Sequence, residues 1–335
     1  MKTVLILMAS YNGEKYIKKQ IDSIINQTYS NWKLIIQDDG SSDKTIEIIE
    51  KYTLEDNRIQ LKKNTTQYHG AFENFHVLIN YAKTIEAFDY YMFSDQDDIW
   101  DENKIARMVK FLEHKEELSD NKGNKSIPLM CYADMRTIDG ADSVILNSLN
   151  KEWGLDNKNR TSVFFSHKVF GCNMMINRAL FKITPALDIN NPYINIMSHD
   201  NYYTKFAAVF GRFYFIPESL MDYRRHQDNA TSAQEYKVSI KRLLYRVTHI
   251  MDLSKRHANI YNQSLITIKM MKNIEMDEKR KKYVSSIERA INNGGFNSLL
   301  FVNKREVIWG KKIENISRKI VLVLGLYKIY LLKEY

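Results

Sequence analysis

The chain has little cysteine and no long apolar run, and both shortages restrict the kind of protein it can be. Two cysteines in 335 residues, Cys131 and Cys172, are too few for a disulfide framework and predict small core residues in a reducing compartment. No segment is apolar over the ~20 residues that a membrane-spanning helix needs. The apolar run at 4–8 is too short for the hydrophobic core of a secretory signal, and we expect it to be a buried strand. With 44% hydrophobic residues, the composition predicts a folded, cytoplasmic protein.

Basic residues are concentrated at the C-terminal end. Residues 235–335 contain 21 Lys and Arg against 9 Asp and Glu, a net charge of +12. The whole chain carries +9, so the preceding part carries −3. A basic region of this kind can bind nucleic acid or an anionic membrane, and the alternative is a solvated helical surface.

Apolar runs alternate with segments of helical periodicity as far as about residue 215. The predicted strands are 4–9, 33–37, 59–62, 89–94, 129–138, 163–176 (strand or strand plus loop) and 212–216. The predicted helices are 14–27, 44–52 capped by Asp43, 71–83 entered through Gly70, 101–114 begun by Asp101 and Glu102, and 200–210 opened by Ser198, with a loop at 117–126. Beyond residue 235 the pattern is helical, with a break at 292–295. This alternation predicts an α/β fold with a mostly parallel sheet, which binds ligands at the carboxyl ends of its strands.

Three carboxylates, Asp95, Asp97 and Asp98, directly follow the predicted strand that ends at residue 94. Carboxylates crowded in this way repel one another unless a cation or a hydrogen-bonding ligand lies between them. Mg²⁺ and Mn²⁺ prefer such oxygen ligands and bridge them to diphosphates. The cluster therefore predicts a metal–diphosphate site, and the pattern leaves open which of the three binds the metal directly.

Other polar clusters are weaker when each is taken alone. The turns Ser10-Tyr11-Asn12-Gly13 and Asp38-Asp39-Gly40-Ser41 follow the first two strands, where they can meet a nucleotide base or serve as plain turns. An Asp at a helix start, such as Asp200, is commonly a cap, and a lone histidine such as His226 is commonly structural.

Taken in order, these motifs resemble glycosyltransferase family 2 over roughly residues 1–235. The resemblance lies in Met8-Ala9-Ser10-Tyr11-Asn12-Gly13, Gln27-Thr28-Tyr29, Asp38-Asp39-Gly40-Ser41-Ser42-Asp43-Lys44-Thr45 and Phe93-Ser94-Asp95-Gln96-Asp97-Asp98-Ile99-Trp100. With Phe72-Glu73-Asn74-Phe75 and His199-Asp200, the chain is similar to the bacterial rhamnosyltransferases of cell-wall and capsule synthesis. Ala9 stands where many relatives have Thr or Ser, which removes one polar contact to the nucleotide.

The resemblance implies a GT-A fold and inverting transfer of a hexosyl group from a nucleotide-diphospho-sugar, with Mg²⁺ or Mn²⁺. The donor-binding residues that it implies are Ser10, Tyr11, Asn12, Asp39, Asp95, Gln96, Asp97, Asp98, Arg224 and Arg225. The implied metal ligands are Asp95, Asp97 and His226, and the implied catalytic base is Asp200. The donor expected from the rhamnosyltransferase-like branch is dTDP-β-L-rhamnose, with a UDP-sugar as the alternative.

The expected domain organisation is a catalytic domain at 1–235, with a nucleotide-sugar half at about 1–115 and an acceptor half at 116–235, followed by a basic helical region at 236–335. In the segment 311–333 basic residues are interspersed with apolar ones, which predicts an amphipathic helix at the inner face of the membrane, close to a lipid-linked acceptor. The alternative is a helix that packs on the catalytic domain or on a second copy in a homodimer.

Two other classes of protein remain as alternatives. A sugar-nucleotide nucleotidyltransferase would need a Gly-rich, basic phosphate loop after the first strand, and Ser10-Tyr11-Asn12-Gly13-Glu14 is not such a loop. A non-catalytic nucleic-acid-binding protein would carry its basic residues around the binding cleft, whereas here they lie towards the C-terminus. We therefore expect no nucleic-acid partner.

Overall fold

A computed structural model describes residues 1–120, 127–156, 159–226 and 249–333. The strands are β1 (Val4–Ser10), β2 (Trp32–Asp38), β3 (Ile59–Lys63), β4 (Tyr90–Ser94), β5 (Ile99–Trp100), β6 (Leu129–Ile138), β7 (Val144–Leu146), β8 (Met174–Asn177) and β9 (Arg212–Arg224). The helices are α1 (Ile17–Ile25), α2 (Thr45–Glu55), α3 (Ala71–Ala82), α4 (Lys104–Asp120), α5 (Leu149–Trp153), α6 (Arg178–Ile183), α7 (His199–Phe210), α8 (Ile250–Lys272), α9 (Glu278–Asn293), α10 (Gly295–Lys304) and α11 (Lys312–Leu324). Short 3₁₀ helices lie at Ser162–Phe164, Gly171–Asn173, Ile194–Ile196 and Leu326–Tyr330.

One sheet runs through the molecule in the order β3-β2-β1-β4-β8-β6-β9-β5, and β7 pairs with β6. Strands β3, β2, β1 and β4 run parallel to one another, whereas β8 is antiparallel to both β4 and β6. The apolar run at 4–8 is completely buried in β1, as expected for a strand covered on both faces. Because β1, β2 and β4 are parallel, their carboxyl ends meet at one edge, and the predicted polar turns lie there. The predicted α/β fold is confirmed.

The predicted strands at 4–9, 33–37, 59–62, 89–94 and 129–138 are confirmed to within one residue at each end. The prediction for 212–216 was too short, since β9 continues to Arg224. Pro217 cannot donate to the ladder, and the strand accommodates it where the register with β6 shifts, between the pairs Ala133–Ile216 and Asp134–Ser219. Only the end of the predicted 163–176 segment is strand, and the two-residue β5 was missed.

Helix boundaries were predicted less well. Helix α1 begins only at Ile17, because residues 14–16 form a turn. Helix α4 begins at Lys104 instead of at residue 101, and the Asp101 carboxylate instead accepts the Asn103 N–H in the preceding turn. The same helix reaches Asp120, so part of the predicted 117–126 loop is helical, and the rest of that loop lies outside the described residues.

The described C-terminal part is helical from α8 onwards, and the predicted break separates α9 from α10 at Gly294. Helix α8 packs on the body of the protein: Tyr261 and Leu265 are buried, and the Ser264 hydroxyl donates to the Phe164 carbonyl at 2.8 Å. The expected domain boundary at 235 and 236 lies outside the described residues. In the described parts of the chain, no helix combines the length and the apolar character needed to span a bilayer.

Candidate functional site

The loop after β1 is fastened to the loop after β2. The Ser10 hydroxyl donates to the Asp38 carboxylate at 3.0 Å, and the Asn12 side-chain oxygen accepts the Ser42 N–H at 2.9 Å. Asn12 has a positive φ of 45°, a conformation that asparagine tolerates better than most residues. Tyr11 is 56% exposed at the tip of this loop, so its ring is available to a ligand.

Asp39 lies in a polar pocket at the end of β2. Its Oδ1 is 2.6 Å from the Asn64 amide nitrogen and 3.0 Å from Nδ1 of His69, while its Oδ2 accepts the Gly70 N–H at 2.8 Å. The carboxylate is buried, and His69 is half exposed at the mouth of the pocket. No sequence pattern pointed to Asn64 or His69, since both lie in the irregular segment between β3 and α3.

Gln96 joins the acidic loop to the first loop. Its amide accepts the Tyr11 N–H at 3.0 Å and donates to the Tyr11 carbonyl at 2.8 Å, as a neighbouring strand would. A Cβ on Gly13 would lie 2.2 Å from the Gln96 Oε1, so a larger residue at position 13 would displace the Gln96 amide from Tyr11. The predicted donor residues Tyr11 and Gln96 are thus held together directly.

The three carboxyls of the acidic loop differ in burial. Asp98 is completely buried, and its Oδ1 accepts the Arg224 N–H at 3.0 Å, whereas Asp95 and Asp97 are partly buried. Burial, followed by the charge of Asp97, raises the pKa of Asp95 to about 7. Burial, followed by the charges of Asp97 and Asp95, raises the pKa of Asp98 well above its usual range. A cluster in this state favours either bound protons or a cation.

His226 contacts the outermost of these carboxyls, with its Nε2 2.7 Å from Oδ2 of Asp97. Its ring also packs on Tyr16, at 5.0 Å between centroids. Both the imidazole and the Asp97 carboxylate are partly exposed, at about one-sixth of the side chain. The predicted metal ligands Asp97 and His226 therefore face each other at the rim of the cluster, although they are far apart in the sequence.

The cations near the cluster occupy its interior. Lys104 is completely buried, and its ammonium donates to the Cys172 carbonyl at 2.7 Å. The Arg224 side chain is also completely buried: its Nε donates to the Asp97 carbonyl at 2.7 Å, and its guanidinium pairs with Asp142. Arg225, in contrast, is partly exposed. Among the predicted arginines, Arg224 braces the acidic loop from within and Arg225 lies closer to solvent.

The short turn Gly171–Asn173 connects the acidic cluster to Asp200. The Cys172 sulfur and one oxygen of each of Asp95 and Asp98 all lie within 4.8 Å of one another, an arrangement that can hold a metal ion. On the other side of the turn, the Gly171 N–H donates to Oδ2 of Asp200 at 3.0 Å. Cys172 is a free, buried thiol, as predicted, but it is also part of the site.

Asp200 is buried in the first turn of α7, one residue after the first residue of that helix. Its Oδ1 accepts the Asn201 N–H at 2.5 Å, and its Oδ2 lies 3.2 Å from Nε2 of His167. Burial opposes its ionisation, but the charge and hydrogen bond of His167, followed by the charge of His199, hold the pKa of Asp200 well below its usual value. Asp200 also contributes to the raised pKa of Asp95, so the two carboxyls interact. The buried Asp200 carboxylate and the acidic cluster thus share one site.

His199 serves as a packed ring beneath this site. Its ring centroid is 4.1 Å from that of Phe75 and 4.7 Å from that of Phe93, and burial lowers its pKa to about 4. A Cβ on residue 171 would lie 2.1 Å from the His199 Nε2, so the turn can lie this close to the His199 ring only with glycine at position 171.

Comparison with known proteins identifies the family. The model of "Glycosyl transferase family 2" matches residues 5–122. The dTDP-rhamnosyl transferase RfbG of Shigella flexneri is 31% identical over 241 residues, which cover 70% of this chain and 78% of that protein. The chain belongs to glycosyltransferase family 2. It is therefore a glycosyltransferase, similar to the rhamnosyltransferases of this family.

Other relatives of this glycosyltransferase match a shorter segment. A UDP-Glc:alpha-D-GlcNAc-diphosphoundecaprenol beta-1,3-glucosyltransferase, WfgD of Escherichia coli, is 36% identical over 125 residues, which cover 37% of this chain and 46% of that protein. This relative, too, is a glycosyltransferase.

Solved structures confirm the GT-A fold. S. aureus TarS 1-349 superimposes with a TM-score of 0.54 at 14% identity, over 98% of this chain and 83% of that one. The mannosyltransferase PcManGT of Pyrobaculum calidifontis, in complex with GDP-Man and Mn²⁺, superimposes with a TM-score of 0.53 at 13% identity, over 100% of this chain and 88% of that one.

Proposed function

We propose that this glycosyltransferase inverts the anomeric centre of a nucleotide-diphospho-sugar as it transfers the sugar to a hydroxyl of a growing polysaccharide. The observation that carries this proposal is the turn Gly171–Asn173, because it contacts Asp200 on one side and the Asp95–Asp98 cluster on the other. An inverting displacement needs a base on one side of the anomeric carbon and stabilisation of the leaving diphosphate on the other.

The donor proposed is dTDP-β-L-rhamnose, and a UDP-sugar is the second candidate. The support for rhamnose is the Shigella flexneri relative, whose match extends well beyond the family domain to 70% of the chain. The E. coli relative named for UDP-Glc supports the alternative through a shorter match. Both donors carry a pyrimidine dione whose N3–H can donate to a carboxylate, which suits Asp39. Ser10, Tyr11 and Asn12 would line the same nucleotide site.

A divalent cation, Mg²⁺ or Mn²⁺, fits the acidic cluster. Asp95 and Asp97 supply hard oxygen ligands, and the imidazole of His226 adds a ligand that Mn²⁺ accepts. Burial and the charge of Asp97 raise the pKa of Asp95, so a cation bound at the cluster would stabilise the ionised carboxylates. We assign Asp98 to the interior, since it is completely buried against the Arg224 backbone. When bound, the cation supplies Lewis-acid stabilisation of the leaving diphosphate. Arg225 is the arginine better placed to assist there, because Arg224 is buried.

Asp200 acts as the general base in this proposal. As the acceptor oxygen forms its bond to the anomeric carbon, its proton passes to the Asp200 carboxylate. The bond from the anomeric carbon to the diphosphate oxygen breaks in the same step, and the electron pair leaves with the nucleoside diphosphate. A single displacement needs no protein nucleophile, and a β-linked rhamnosyl donor gives an α-rhamnoside.

The enzyme would act at the inner face of the cell membrane on a lipid-linked acceptor. One stripe of α11 carries three exposed isoleucine or leucine side chains, Ile316, Ile320 and Leu324, which are 50%, 47% and 57% exposed. Phe296 and Leu300 of the adjoining α10 are exposed too, and so are Lys304, Lys328 and Lys333. Exposed apolar side chains among lysines are typical of a helix in an anionic membrane interface. A homodimer that covers the same stripe is the alternative.

A donor panel tests the proposed function. The purified enzyme is incubated with dTDP-rhamnose, UDP-glucose, UDP-galactose and UDP-N-acetylhexosamine, each with Mn²⁺ and a lipid-linked acceptor extract. We expect release of the nucleoside diphosphate and acceptor-dependent transfer from dTDP-rhamnose. Transfer from a UDP-sugar alone would replace the donor assignment, and release of a nucleoside monophosphate with any donor would contradict a glycosyl transfer.

A further inference from the structure

The Asp200 carboxylate has a histidine partner that the strand and helix pattern did not indicate. His167 lies in the irregular segment between the 3₁₀ helix Ser162–Phe164 and the turn Gly171–Asn173. Its Nε2 is 3.2 Å from Oδ2 of Asp200, and 31% of its side chain is exposed. The imidazole therefore contacts the buried carboxylate and also reaches solvent.

The other ionisable groups around this pair are more deeply buried. His199 precedes Asp200 in α7, and His76 faces it from α3; burial lowers the pKa of each to about 4. Lys205, one turn further along α7, has its pKa lowered to about 7 by burial, and Asp95 faces Asp200 from the acidic loop. At neutral pH the two buried histidines are uncharged. His167 is thus the partly exposed imidazole in direct contact with Asp200.

Two consecutive residues of α8 hold the segments that carry the pair. The Gln263 side-chain oxygen accepts the Asn201 amide N–H at 2.7 Å and the Ser198 hydroxyl at 3.3 Å, which fixes the start of α7. The Ser264 hydroxyl donates to the Phe164 carbonyl at 2.8 Å, three residues before His167. Because these contacts are buried, α8 limits the freedom of both partners.

We propose that His167 is a positioning residue for the catalytic base, and that it holds the Asp200 carboxylate and adjusts its basicity. The proposal rests on the assignment of Asp200 as general base. With a neutral imidazole, an N–H···O contact orients Oδ2, and the carboxylate remains able to accept the acceptor proton. With an imidazolium, the positive charge stabilises the carboxylate anion and makes Asp200 a weaker base. Turnover should therefore depend on the side chain at position 167.

The test compares His167→Gln and His167→Ala at saturating donor and Mn²⁺, with kcat measured from about pH 5 to about pH 8. Glutamine keeps an N–H at a similar reach but carries no charge at any of these pH values. We expect His167→Ala to lower kcat roughly 10–100-fold through misplacement of the base, with the donor KM unchanged. We expect His167→Gln to recover most of that loss and to give a pH profile of kcat that differs from the wild type, because glutamine carries no charge. His114→Gln, an exposed histidine on α4, is the matched control and should keep the wild-type profile.

Each other outcome has a defined meaning. If His167→Gln keeps the wild-type pH profile, or if His167→Ala raises the donor KM and leaves kcat unchanged, His167 is not a positioning residue for Asp200. Asp200→Asn is measured in parallel: wild-type turnover in that variant overturns both the proposed base and this inference. A large loss in Asp200→Asn, with no kinetic effect in either His167 variant, overturns this inference alone.

Discussion

The two corners of the site are built in different ways. The acidic corner, formed by Asp95, Asp97, Asp98 and His226, takes three of its four side chains from one loop after β4. The base corner, formed by His167, Gly171 and Asp200, joins the stretch 165–171 to the start of α7, and α8 contacts both segments. Local sequence thus specifies the first corner, whereas long-range packing specifies the second. Variants in the two corners should accordingly fail in different ways.

The largest effect is expected in the base corner. Asp200→Asn should lower turnover by roughly 10²–10⁴, the usual range for loss of a general base, while donor binding stays nearly intact. The amide cannot accept the acceptor proton, but it has the same shape and can still accept the Gly171 N–H. Steady-state kinetics measures turnover, and a thermal melt with and without the nucleoside diphosphate follows donor binding. Asn201→Asp is unsuitable as a control, since Asn201 donates to Gln263; Asp188→Asn, in an exposed turn, is a better one.

A variant of the acidic corner should fail in binding. Asp97→Ala should weaken the Mn²⁺-dependent binding of the nucleoside diphosphate roughly 10–100-fold, because it removes one carboxylate ligand and the partner of His226. Isothermal titration with dTDP and with UDP, with and without Mn²⁺, gives the measurement. Asp101→Ala, just outside the cluster in the turn before α4, should bind normally.

If excess EDTA leaves full activity, the metal proposal for this corner is wrong. Attention would then pass to Arg225 and His226 as a metal-free clamp on the diphosphate.

The difference between the corners also explains what the sequence could predict. The parallel half of the sheet and the acidic loop follow from apolar runs and from the residues right after them, so both were predictable. Asp95 to Asp98 are close in space because they are close in sequence. His167 and Gly171 stand in a segment with no decisive pattern, and only the fold brings them to Asp200. Likewise, the predicted strand ended at 216, although a register shift beside Pro217 lets β9 continue to the acidic corner.

The exposed stripe on α11 should govern membrane binding. Deletion of 311–335 is a poor test, because Val321, Leu322 and Tyr327 in that segment are completely buried and their loss would open the core. The combined Ile316→Ser, Ile320→Ser and Leu324→Ser substitution leaves those residues in place. We expect it to lower partitioning onto anionic liposomes at least roughly 10-fold without lowering the melting temperature.

The control for the stripe is Leu54→Ser on α2, which removes a leucine that is 88% exposed far along the chain from α11. That variant should bind liposomes like the wild type. If the α11 variant instead binds liposomes normally and changes the molar mass in light scattering, the stripe is a contact between two copies of the chain.

The smallest expected effect is a change in the free energy of unfolding at acid pH, caused by the buried histidines near the base corner. Burial lowers the pKa of His199 to about 4, below the value of about 6.5 for an unfolded histidine. A group with a depressed pKa contributes stability above its unfolded pKa, and that stability is lost as the pH falls towards the folded pKa. The contribution of His199 to the free energy of unfolding should therefore decrease as the pH falls from about 6.5 to about 4. His76 has the same shift and contributes to the same decrease.

The His199→Phe variant isolates the contribution of His199 to this loss of stability at acid pH. Phenylalanine can stack between Phe75 and Phe93 in place of the imidazole and has no proton to bind. Urea denaturation at several pH values should show that the variant loses less free energy of unfolding than the wild type as the pH falls. His76 contributes to the loss that remains. The acidic corner responds in the opposite direction, since the raised pKa of Asp95 weakens the fold as the pH rises towards about 7. Equal slopes in the wild type and His199→Phe would mean that His199 does not stay neutral in the folded protein, and that the base corner is more hydrated than its packing indicates.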